Sequence, residues 1–322
     1  MANNHVPVLL EEVCAALSPA LEKKEPSETA RTLVDLTFGG GGHCTALIRR
    51  CRPKQVFAFD RDAAALTRAL PSELASPTIQ IERIHAAFAD AAILLQQRGF
   101  LEIHAAVADL GVSSFQLDEG KRGFSFQQDA PLDMRMNPEE GQSAAELLAT
   151  IDTKDLTQLL REYGEEPDAR RIASAITQAR PKTTFALAEI VTQAMSAPQR
   201  RKLGLRVHPA TRTFQAIRIA INREFEQLDQ LLKTFPSMLA VGGRLAVISF
   251  HSLEDRRIAK AFRKLARAPQ PPINIPLRQE ELPKADFYIP RELQRGQTPS
   301  AAEVNRNPRS RSARLRVLER CQ

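Results

Sequence analysis

A run of four glycines after a short apolar segment constrains the fold of this chain more than any other feature. The segment Thr32–Phe38 reads TLVDLTF, and GGGG at positions 39–42 follows it, then His43. Apolar and β-branched residues that stop at glycine are typical of a buried parallel strand. Glycines in the turn after such a strand let the backbone approach a ligand closely, because no Cβ stands in the way. The sequence therefore predicts a strand, a ligand-binding turn and a helix in succession.

Strand and helix patterns alternate through the first third of the chain. Further strands are predicted at Val56–Asp60, Ile79–Phe88 and His104–Asp109, with helices at Cys44–Cys51, Ala63–Leu70 and Ala89–Gln97. This alternation predicts an α/β fold with a doubly wound, Rossmann-like sheet, in which ligands bind beyond the carboxyl ends of the strands. The glycine turn, Asp60, Phe88 and Asp109 would then lie at one edge of the sheet.

The pattern changes after residue 118, where helices follow without convincing strands. Ser143-Ala144-Ala145-Glu146 has the form of a capping box, which opens a helix. Apolar residues recur at helical spacing from Phe214 to Phe235, which predicts one long amphipathic helix. Because helices interrupt the strand–helix alternation, we predict an inserted all-helical subdomain over 119–206, with substrate recognition as its role.

The sheet resumes in the last third of the chain. Arg244–Phe250 (RLAVISF) reads as a strand, and the alternating segment ARLRVL predicts an edge strand whose Leu315 and Val317 face the core. The Rossmann-like domain is therefore predicted to be discontinuous, over 1–118 and 207–322.

Composition bounds the class of protein. The 322 residues include 45 Lys and Arg against 38 Asp and Glu, a formal net charge of +7 that mildly favours a polyanionic partner. The four cysteines lack CxxC or metal-ligand spacing, so we expect free thiols in a reducing cytoplasm and no metal. The N-terminus lacks the basic region of a secretory signal, and no apolar run reaches the roughly 20 residues that span a bilayer. The sequence leaves open whether the chain is a monomer or a homodimer.

The glycine run does not have the spacing of a dinucleotide-binding loop, G-x-G-x-x-G. Counted from Gly39, the third glycine falls on Cys44, and counted from Gly40 it falls on the next residue, a threonine. S-adenosylmethionine also uses a glycine turn after the first strand, together with an acid after the second strand that binds the ribose hydroxyls. Asp60 stands at that place. A nicotinamide-dependent oxidoreductase is therefore disfavoured, and a flexible turn with a chance acid is the structural alternative.

Longer strings resemble a known family. They are HVPVLLEEV near the N-terminus, TFGGGGH, DLGVSSFQLD from Asp109, RGFSFQQDAPLDMRM from Arg122, HPATRTFQAIRI from His208, VISFHSLED from Val247 and NPRSRSARLRV from Asn307. In this order, from His5 to about Val317, they resemble the bacterial MraW (RsmH) family of S-adenosylmethionine-dependent methyltransferases. The resemblance implies a class I methyltransferase fold. It also implies N4-methylation of a cytidine, cytosine 1402 being the family's target, in 16S ribosomal RNA within the small ribosomal subunit.

The resemblance further implies which residues bind S-adenosylmethionine. They are Gly41, Gly42, His43, Asp60, Phe88, Asp109 and Gln116. The residues themselves support three of these roles. Asp60 suits the ribose, Phe88 can cover the adenine ring, and Asp109 ends the strand nearest the methyl group. Gln116 follows from the resemblance alone, since an ordinary helix-capping or loop amide explains it equally well.

The group that accepts hydrogen bonds from the cytosine amine is less well defined. Methyl transfer to nitrogen requires in-line geometry and acceptors for the amino protons. Many amino methyltransferases supply acceptors with a D/N/S-P-P-Y/F motif after the fourth strand, but here that place reads DLGV. The candidate catalytic residues are Asp109, Asp133 and His251. A structural salt bridge or loop hydrogen bond is the alternative for each of them.

The candidate RNA-binding residues are basic side chains in the family strings or beside the insert. They are Arg122, Arg135, Arg206, His208, Arg212, Arg309 and Arg311. The target cytosine must be unstacked to expose its amino edge, and these side chains would hold the surrounding phosphates. Solvated surface arginines are the alternative. A non-catalytic ribosome-assembly factor is the alternative for the whole chain. The GGH string, Asp60 and Asp109 argue against loss of cofactor binding.

Overall fold

A computed structural model of the chain describes residues 7–22, 31–67, 78–203, 208–269 and 284–322. The chain divides into two compact units. The first combines the N-terminal part up to Gly111 with the part from Glu226 onwards, and the second is Val112–Phe225. No helix within the described ranges is long and apolar enough to cross a bilayer.

All strands named here belong to the first unit. They are β1 (Thr32–Asp35), β2 (Gln55–Asp60), β3 (Gln80–His85), β4 (Ile103–Asp109), β5 (Leu239–Ser249), β6 (Phe287–Tyr288) and β7 (Arg314–Arg320). They form one seven-stranded sheet in the order β3-β2-β1-β4-β5-β7-β6. β1 to β5 are parallel, whereas β7 runs antiparallel between β5 and β6. The predicted α/β class and its mostly parallel sheet are confirmed.

Helices connect the strands and make up the second unit. In chain order the α-helices of the described residues are α1 (Leu10–Leu21), α2 (Gly42–Cys51), α3 (Ala63–Thr67), α4 (Ala91–Gln97), α5 (Ser114–Asp118), α6 (Ala144–Thr150), α7 (Thr153–Gly164), α8 (Ala169–Ala179), α9 (Thr184–Ala194), α10 (Ala197–Leu203), α11 (Thr211–Asn222), α12 (Glu224–Thr234), α13 (Ser252–Leu265) and α14 (Ala301–Arg306). Helices α5 to α11 lie within the second unit. The last three residues of the predicted helix 63–70 lie outside the described residues.

Apolar side chains cover both faces of the sheet, as continuous apolar strands require. In β2, Phe57 and Phe59 belong to one buried cluster, whereas Val56 and Ala58 belong to another. Successive side chains of a strand point to opposite faces, so the two clusters are the two sides of the sheet. Burial on both faces is the reason why these strands carry no polar alternation in the sequence.

The C-terminal strand has the predicted core residues but not the predicted place. Leu315 and Val317 are fully buried, as the alternation in ARLRVL predicts. However, β6 pairs with the outer side of β7, so β7 is the second strand from the end of the described sheet and the predicted edge position is wrong. β6 has only two residues, and so short a strand leaves no periodic pattern in the sequence.

The predicted long helix from Phe214 to Phe235 is also wrong. It is divided into α11 and α12 by Arg223, whose φ of 51° is left-handed. The preceding Asn222 holds a distant loop: its side chain accepts a hydrogen bond from Met136 N and donates one to Met134 O, both at 2.7 Å. The apolar stripe continues through the break, so the sequence pattern does not reveal it.

The predicted capping box at the start of α6 is confirmed. Ser143 Oγ accepts a hydrogen bond from Glu146 N, and the Glu146 carboxylate accepts one from Ser143 N at 2.7 Å. The two bonds satisfy backbone donors that the first turn of a helix leaves without partners. The helix therefore begins where the sequence predicts.

The second unit extends beyond the predicted insert, 119–206, at both ends. At its C-terminal end the reason is α11, which packs against α6 and α7. Gly164, the last residue of α7, lies so close to α11 that a Cβ there would be 2.8 Å from Arg212 O. The buried face of α11 therefore belongs to the helical core of the second unit and not to the sheet.

Candidate active site

Two glycines of the turn after β1 have no room for a side chain. Gly39 and Gly41 have left-handed φ angles of 52° and 72°. A Cβ on Gly41 would be 2.7 Å from Phe38 Cζ, and a Cβ on Gly42 would overlap Pro7. At positions 41 and 42 the protein's own side chains therefore exclude a Cβ, independently of any ligand.

Asp60, at the end of β2, is bonded to the glycine turn. Its Oδ2 atom accepts a hydrogen bond from Gly39 N at 2.7 Å, and its Oδ1 atom accepts one from Asp62 N at 2.8 Å. A carboxylate accepts hydrogen bonds at about four positions, which is the chemistry that the predicted contact of Asp60 with ribose hydroxyls requires. The acid and the turn thus form one local structure at the carboxyl edge of the sheet.

Phe88 follows β3 at the same edge. The chain returns beside β2 there, since Ala86 N donates a hydrogen bond to Asp60 O at 3.1 Å. Phe88 then begins a short 3-10 helix, Phe88–Asp90, and its half-buried ring packs against the apolar core. Phe88 therefore follows two residues after the contact with Asp60, and its role at the adenine ring stays a prediction.

Asp35 at the end of β1 and Asp109 at the end of β4 have pKa values that burial and neighbouring acids raise. Burial raises the pKa of Asp35 to about 7, and burial together with the charges of Asp35 and Glu254 raises the pKa of Asp109 to about 8. Thr37 links two of these acids, because its N donates to Asp35 Oδ1 at 3.1 Å and its hydroxyl accepts from Asp109 N at 2.6 Å. Asp35, Thr37 and Glu254 are not among the site residues that the sequence predicts.

One carboxylate oxygen of Asp109 makes no hydrogen bond within the described part of the chain. Its side chain is 27% exposed, yet its Oδ1 atom is buried and makes no hydrogen bond with any residue that the structure describes. Its Oδ2 atom lies 3.8 Å from His43 Nδ1. Buried polar atoms nearly always have a partner, so this oxygen fits a bound donor group such as the amine of a ligand.

His43 is nearly buried in the first turn of α2. Its Nε2 atom lies 2.9 Å from the carbonyl oxygen of Val8. A carbonyl only accepts hydrogen bonds, so Nε2 carries the proton, and in the neutral ring the Nδ1 lone pair faces Asp109. The imidazole is therefore held between the N-terminal segment and the carboxyl group at the end of β4.

His251 caps the helix that follows β5. Its Nδ1 atom accepts a hydrogen bond from Glu254 N at 3.3 Å, and its Nε2 atom lies 3.2 Å from Glu254 Oε1. Glu254 in turn accepts a hydrogen bond from Phe250 N at 2.9 Å. The capping role matches the structural alternative for His251. Its spacing to Glu254 in HSLE is the signal that could have identified both residues.

Asp133 lies in the second unit, in a bidentate ion pair. Arg135 Nε donates to its Oδ1 atom at 2.8 Å and Arg135 Nη2 to its Oδ2 atom at 2.7 Å. Burial alone would raise the pKa of Asp133, but the hydrogen bonds and charge of Arg135 hold it below its usual range. Arg122 braces the same loop, donating to the carbonyl oxygens of Arg135 and Met136. These contacts support the salt-bridge alternative for Asp133.

The remaining candidates of the second unit also have structural contacts. Gln116 forms a capping box with Ser113 at the start of α5. His208 stacks on Phe126 with ring centroids 4.4 Å apart, and burial lowers its pKa. Arg212 donates to Glu165 O at 3.2 Å. Arg206 lies outside the described residues.

Arg309 and Arg311 lie in the first unit, on the 3-10 helix Pro308–Ser312. Both are exposed, whereas Ser310 between them is fully buried and donates its hydroxyl to Asn307 O at 2.8 Å. The helix is thus anchored by Ser310 and presents two arginines to solvent, which suits contact with phosphates.

Comparison with known proteins identifies relatives over the whole chain. The model of the MraW methylase family matches residues 2–321. The chain is 44% identical to the Ribosomal RNA small subunit methyltransferase H of Azoarcus sp. (strain BH72), covering 98% of this chain and 97% of the relative. It is 41% identical to the protein of that name from Magnetococcus marinus, covering 99% of each. These matches confirm the resemblance that the sequence strings indicate.

Solved structures are more distant. An rRNA methylase from Streptococcus thermophilus is 14% identical, with a TM-score of 0.36, and the match covers 97% of this chain and 94% of that one. A methyltransferase homolog protein from Pyrococcus horikoshii is 11% identical, with a TM-score of 0.41 and coverage of 97% and 66%.

Proposed function

The chain belongs to the MraW methylase family and is a methyltransferase, and we propose that it methylates N4 of a cytidine in 16S ribosomal RNA. The methyl donor is S-adenosylmethionine. The names of the relatives support ribosomal RNA of the small subunit as the substrate class. The motif resemblance supports cytosine 1402 as the target. We also propose that the activity is cytoplasmic, because its proposed substrate belongs to the ribosome.

One observation carries the proposal: the glycine turn, Asp60 and the unpartnered oxygen of Asp109 lie at the carboxyl edge of one parallel sheet. This is the edge at which doubly wound sheets bind ligands. Asp60 would hold the ribose, Phe88 would cover the adenine, and the turn up to His43 would admit the aminoacid part. When bound, the cofactor supplies an electrophilic methyl group on a sulfonium.

Asp109 is the best placed of the three catalytic candidates. Asp133 gives both carboxylate oxygens to Arg135, and His251 caps a helix. Asp109 has a buried carboxylate oxygen without a hydrogen bond among the described residues, whereas the buried Nε2 atom of His251 lies 3.2 Å from Glu254 Oε1. A positive charge beside this carboxyl would lower its pKa and favour the ionised form. The ionised form only accepts hydrogen bonds, as the protons of an attacking amine require.

The second unit is proposed to recognise the RNA. The cofactor residues other than Gln116 lie in the first unit, so Val112–Phe225 is available for another role. Replacing that unit by a short Gly/Ser linker should preserve S-adenosylmethionine binding and abolish methylation. The replacement should remove Val112–Phe225 and not 119–206. Removing only 119–206 would leave α11 in the protein without the helices that its buried face packs against. Normal methylation by the shortened protein would assign the unit another role.

The decisive experiment uses small subunits from a strain that lacks the gene. Incubation with the enzyme and radiolabelled S-adenosylmethionine should label 16S rRNA, and nucleoside mass spectrometry should identify N4-methylcytidine. Assembled subunits and naked rRNA are tested in parallel to define the substrate. Label on another base, or none on either substrate, would contradict the proposal. Binding of a nicotinamide dinucleotide instead of S-adenosylmethionine would favour the oxidoreductase alternative.

A further inference from the structure

The N-terminal segment Pro7–Leu9, here called the strap, lies directly on the cofactor turn. Pro7 fills the space that a side chain at Gly42 would need. The carbonyl oxygen of Val8 accepts the Nε2 proton of His43 at 2.9 Å. Leu9 is fully buried and has a left-handed φ of 54°. Each residue of the strap thus has a specific contact or conformation beside the turn.

The strap is held from its other side by the C-terminal part of the chain. Leu9 N donates a hydrogen bond at 2.8 Å to Oε1 of Glu303, which lies 294 positions later in α14. Ser300 caps α14 and accepts a hydrogen bond from Glu303 N, which fixes the start of that helix. A charged acceptor on a backbone N–H makes a stronger bond than a neutral one. Glu303 therefore fixes the position of the Leu9 amide.

A continuous set of contacts runs from Glu303 to the methyl-transfer edge. Glu303 holds the Leu9 amide, the neighbouring Val8 carbonyl holds His43 Nε2, and His43 Nδ1 faces Asp109 Oδ2 at 3.8 Å. We propose that Glu303 is a positioning residue for methyl transfer, acting through the strap and His43 on the carboxyl group of Asp109. This inference rests on the proposed function of that edge.

The left-handed conformation of Leu9 explains why the strap needs an external hold. The left-handed conformation is sterically unfavourable for an L-residue, so the strap relaxes when its anchor is removed. The body of α1 does not depend on that anchor, because Val13 and Leu17 are fully buried in the core. Loss of the Glu303 bond should therefore shift Val8 without unfolding the unit.

The test compares Glu303→Ala with Glu303→Gln, which retains an acceptor oxygen for the Leu9 amide. The matched control is Glu292→Ala, because Glu292 is an exposed glutamate in the same region of the chain. The proton position on His43 is measured with 15N-labelled histidine by long-range 1H–15N correlation, and the signal is assigned by its absence from His43→Gln. Affinity for S-adenosylhomocysteine is measured by calorimetry, and melting temperature and kcat are recorded alongside.

Glu303→Ala should lose the single Nε2-protonated form of His43 and bind S-adenosylhomocysteine about three- to tenfold more weakly. Glu303→Gln should restore both properties, and Glu292→Ala should leave them unchanged. A Glu303→Ala protein that melts early but keeps the His43 signal and the affinity for S-adenosylhomocysteine would overturn the proposal. A Glu303→Gln protein that loses both properties as Glu303→Ala does would also overturn it. Neither readout uses RNA, so failure of the wild-type enzyme to methylate subunits would refute the proposed function separately.

Discussion

Asp60 Oδ2 accepts the backbone N–H of Gly39 at 2.7 Å, so the acid at the end of β2 holds the turn at the end of β1. The same carboxylate accepts the amide of Asp62. A residue proposed to bind the ribose therefore also shapes the glycine turn. A substitution there should affect both the stability of the first unit and its affinity for the cofactor.

Asp60→Ala should weaken S-adenosylmethionine binding by about 1–3 kcal/mol, because the ribose hydroxyls lose a charged acceptor. It should also lower the melting temperature, because two backbone amides lose their partner. Asp60→Asn retains one acceptor oxygen and should give intermediate values. Calorimetry and melting curves check these outcomes, with Asp90→Ala as the control at an exposed acid. Unchanged affinity in Asp60→Ala would refute the ribose assignment.

Gly41→Ala should be more destabilising than Gly99→Ala, although both glycines have positive φ angles, of 72° and 82°. The added methyl group would be 2.7 Å from Phe38 Cζ at Gly41, whereas nothing lies within 4 Å at Gly99. Both variants therefore carry the same backbone strain, and the difference of about 1–3 kcal/mol is the cost of overpacking. Chemical denaturation measures this difference in the free energy of unfolding between the two variants. Equal losses in the two variants would mean that Phe38 moves aside freely.

The sheet was predictable because parallel strands buried on both faces appear as continuous apolar runs. The predicted strands at Val56–Asp60 and His104–Asp109 each differ from β2 and β4 by one residue at the start. The acids that end them were predictable as edge residues for the same reason. The enzyme class and the methyl donor were also predictable, from the motif strings, and both are confirmed.

Features that depend on tertiary contacts were not predictable. The apolar residues keep their helical spacing across the break at Arg223, so the spacing does not show where α11 ends. The contact of His43 with Val8 joins residues 35 positions apart, and no local pattern encodes it. Likewise, the spacing of PLDMRM does not reveal that Arg135 donates hydrogen bonds to both carboxylate oxygens of Asp133. The residue roles carried over from the family resemblance stay predictions.

The buried acids predict an unusual pH dependence of stability. The pKa values of Asp35 and Asp109 are raised to about 7 and about 8. The unfolded carboxyls lose their protons near pH 4. Between about pH 4 and pH 8 the folded state therefore binds more protons than the unfolded state, so these groups lower the free energy of unfolding as the pH rises.

Asp35→Asn should flatten this dependence. It removes one raised pKa and lowers that of Asp109, to which the Asp35 charge contributes, while the amide oxygen can still accept the Thr37 N–H. The melting temperature of the variant should fall less than that of the wild type between about pH 5 and about pH 8. Asp90→Asn, at an exposed acid, should follow the wild type. Identical pH slopes in all three proteins would contradict the raised pKa values.

Arg309 and Arg311 should contribute to RNA binding and little to folding, because both are exposed on a helix that the buried Ser310 anchors. Changing both to Gln should weaken subunit binding and reduce its salt dependence by about one unit of log slope per lost contact. Lys233→Gln, an exposed residue near the start of β5, serves as the charge control. An early-melting double variant with normal binding would make these arginines structural.

Leu315→Asp should unfold the first unit or destabilise it strongly. Leu315 is fully buried in the apolar cluster on one face of the sheet, so the variant places an unpaired charge in an apolar layer. A melting curve checks this outcome. Leu315→Val, which keeps an apolar side chain at this position, should cost far less. A well-folded Leu315→Asp protein would contradict the assignment of this strand to the core.

The ion pair between Asp133 and Arg135 separates a structural role from a catalytic one. Both side chains are about three-quarters buried, and the pair is bidentate. If the pair only shapes its loop, Asp133→Ala, Arg135→Ala and the double variant should lose similar stability, with a coupling energy of about 1 kcal/mol. Single-turnover rates at saturating cofactor and subunits should then be equally affected in Asp133→Asn and Arg135→Gln. The salt slope of subunit binding should not change in Arg135→Gln, because the guanidinium of Arg135 is already bound to Asp133.

If instead Asp133 receives the amine protons, the single-turnover rate of Asp133→Asn should fall at least about a hundredfold. The rate of Arg135→Gln should then stay close to that of the wild type. That second outcome would move the acceptor from Asp109 to Asp133.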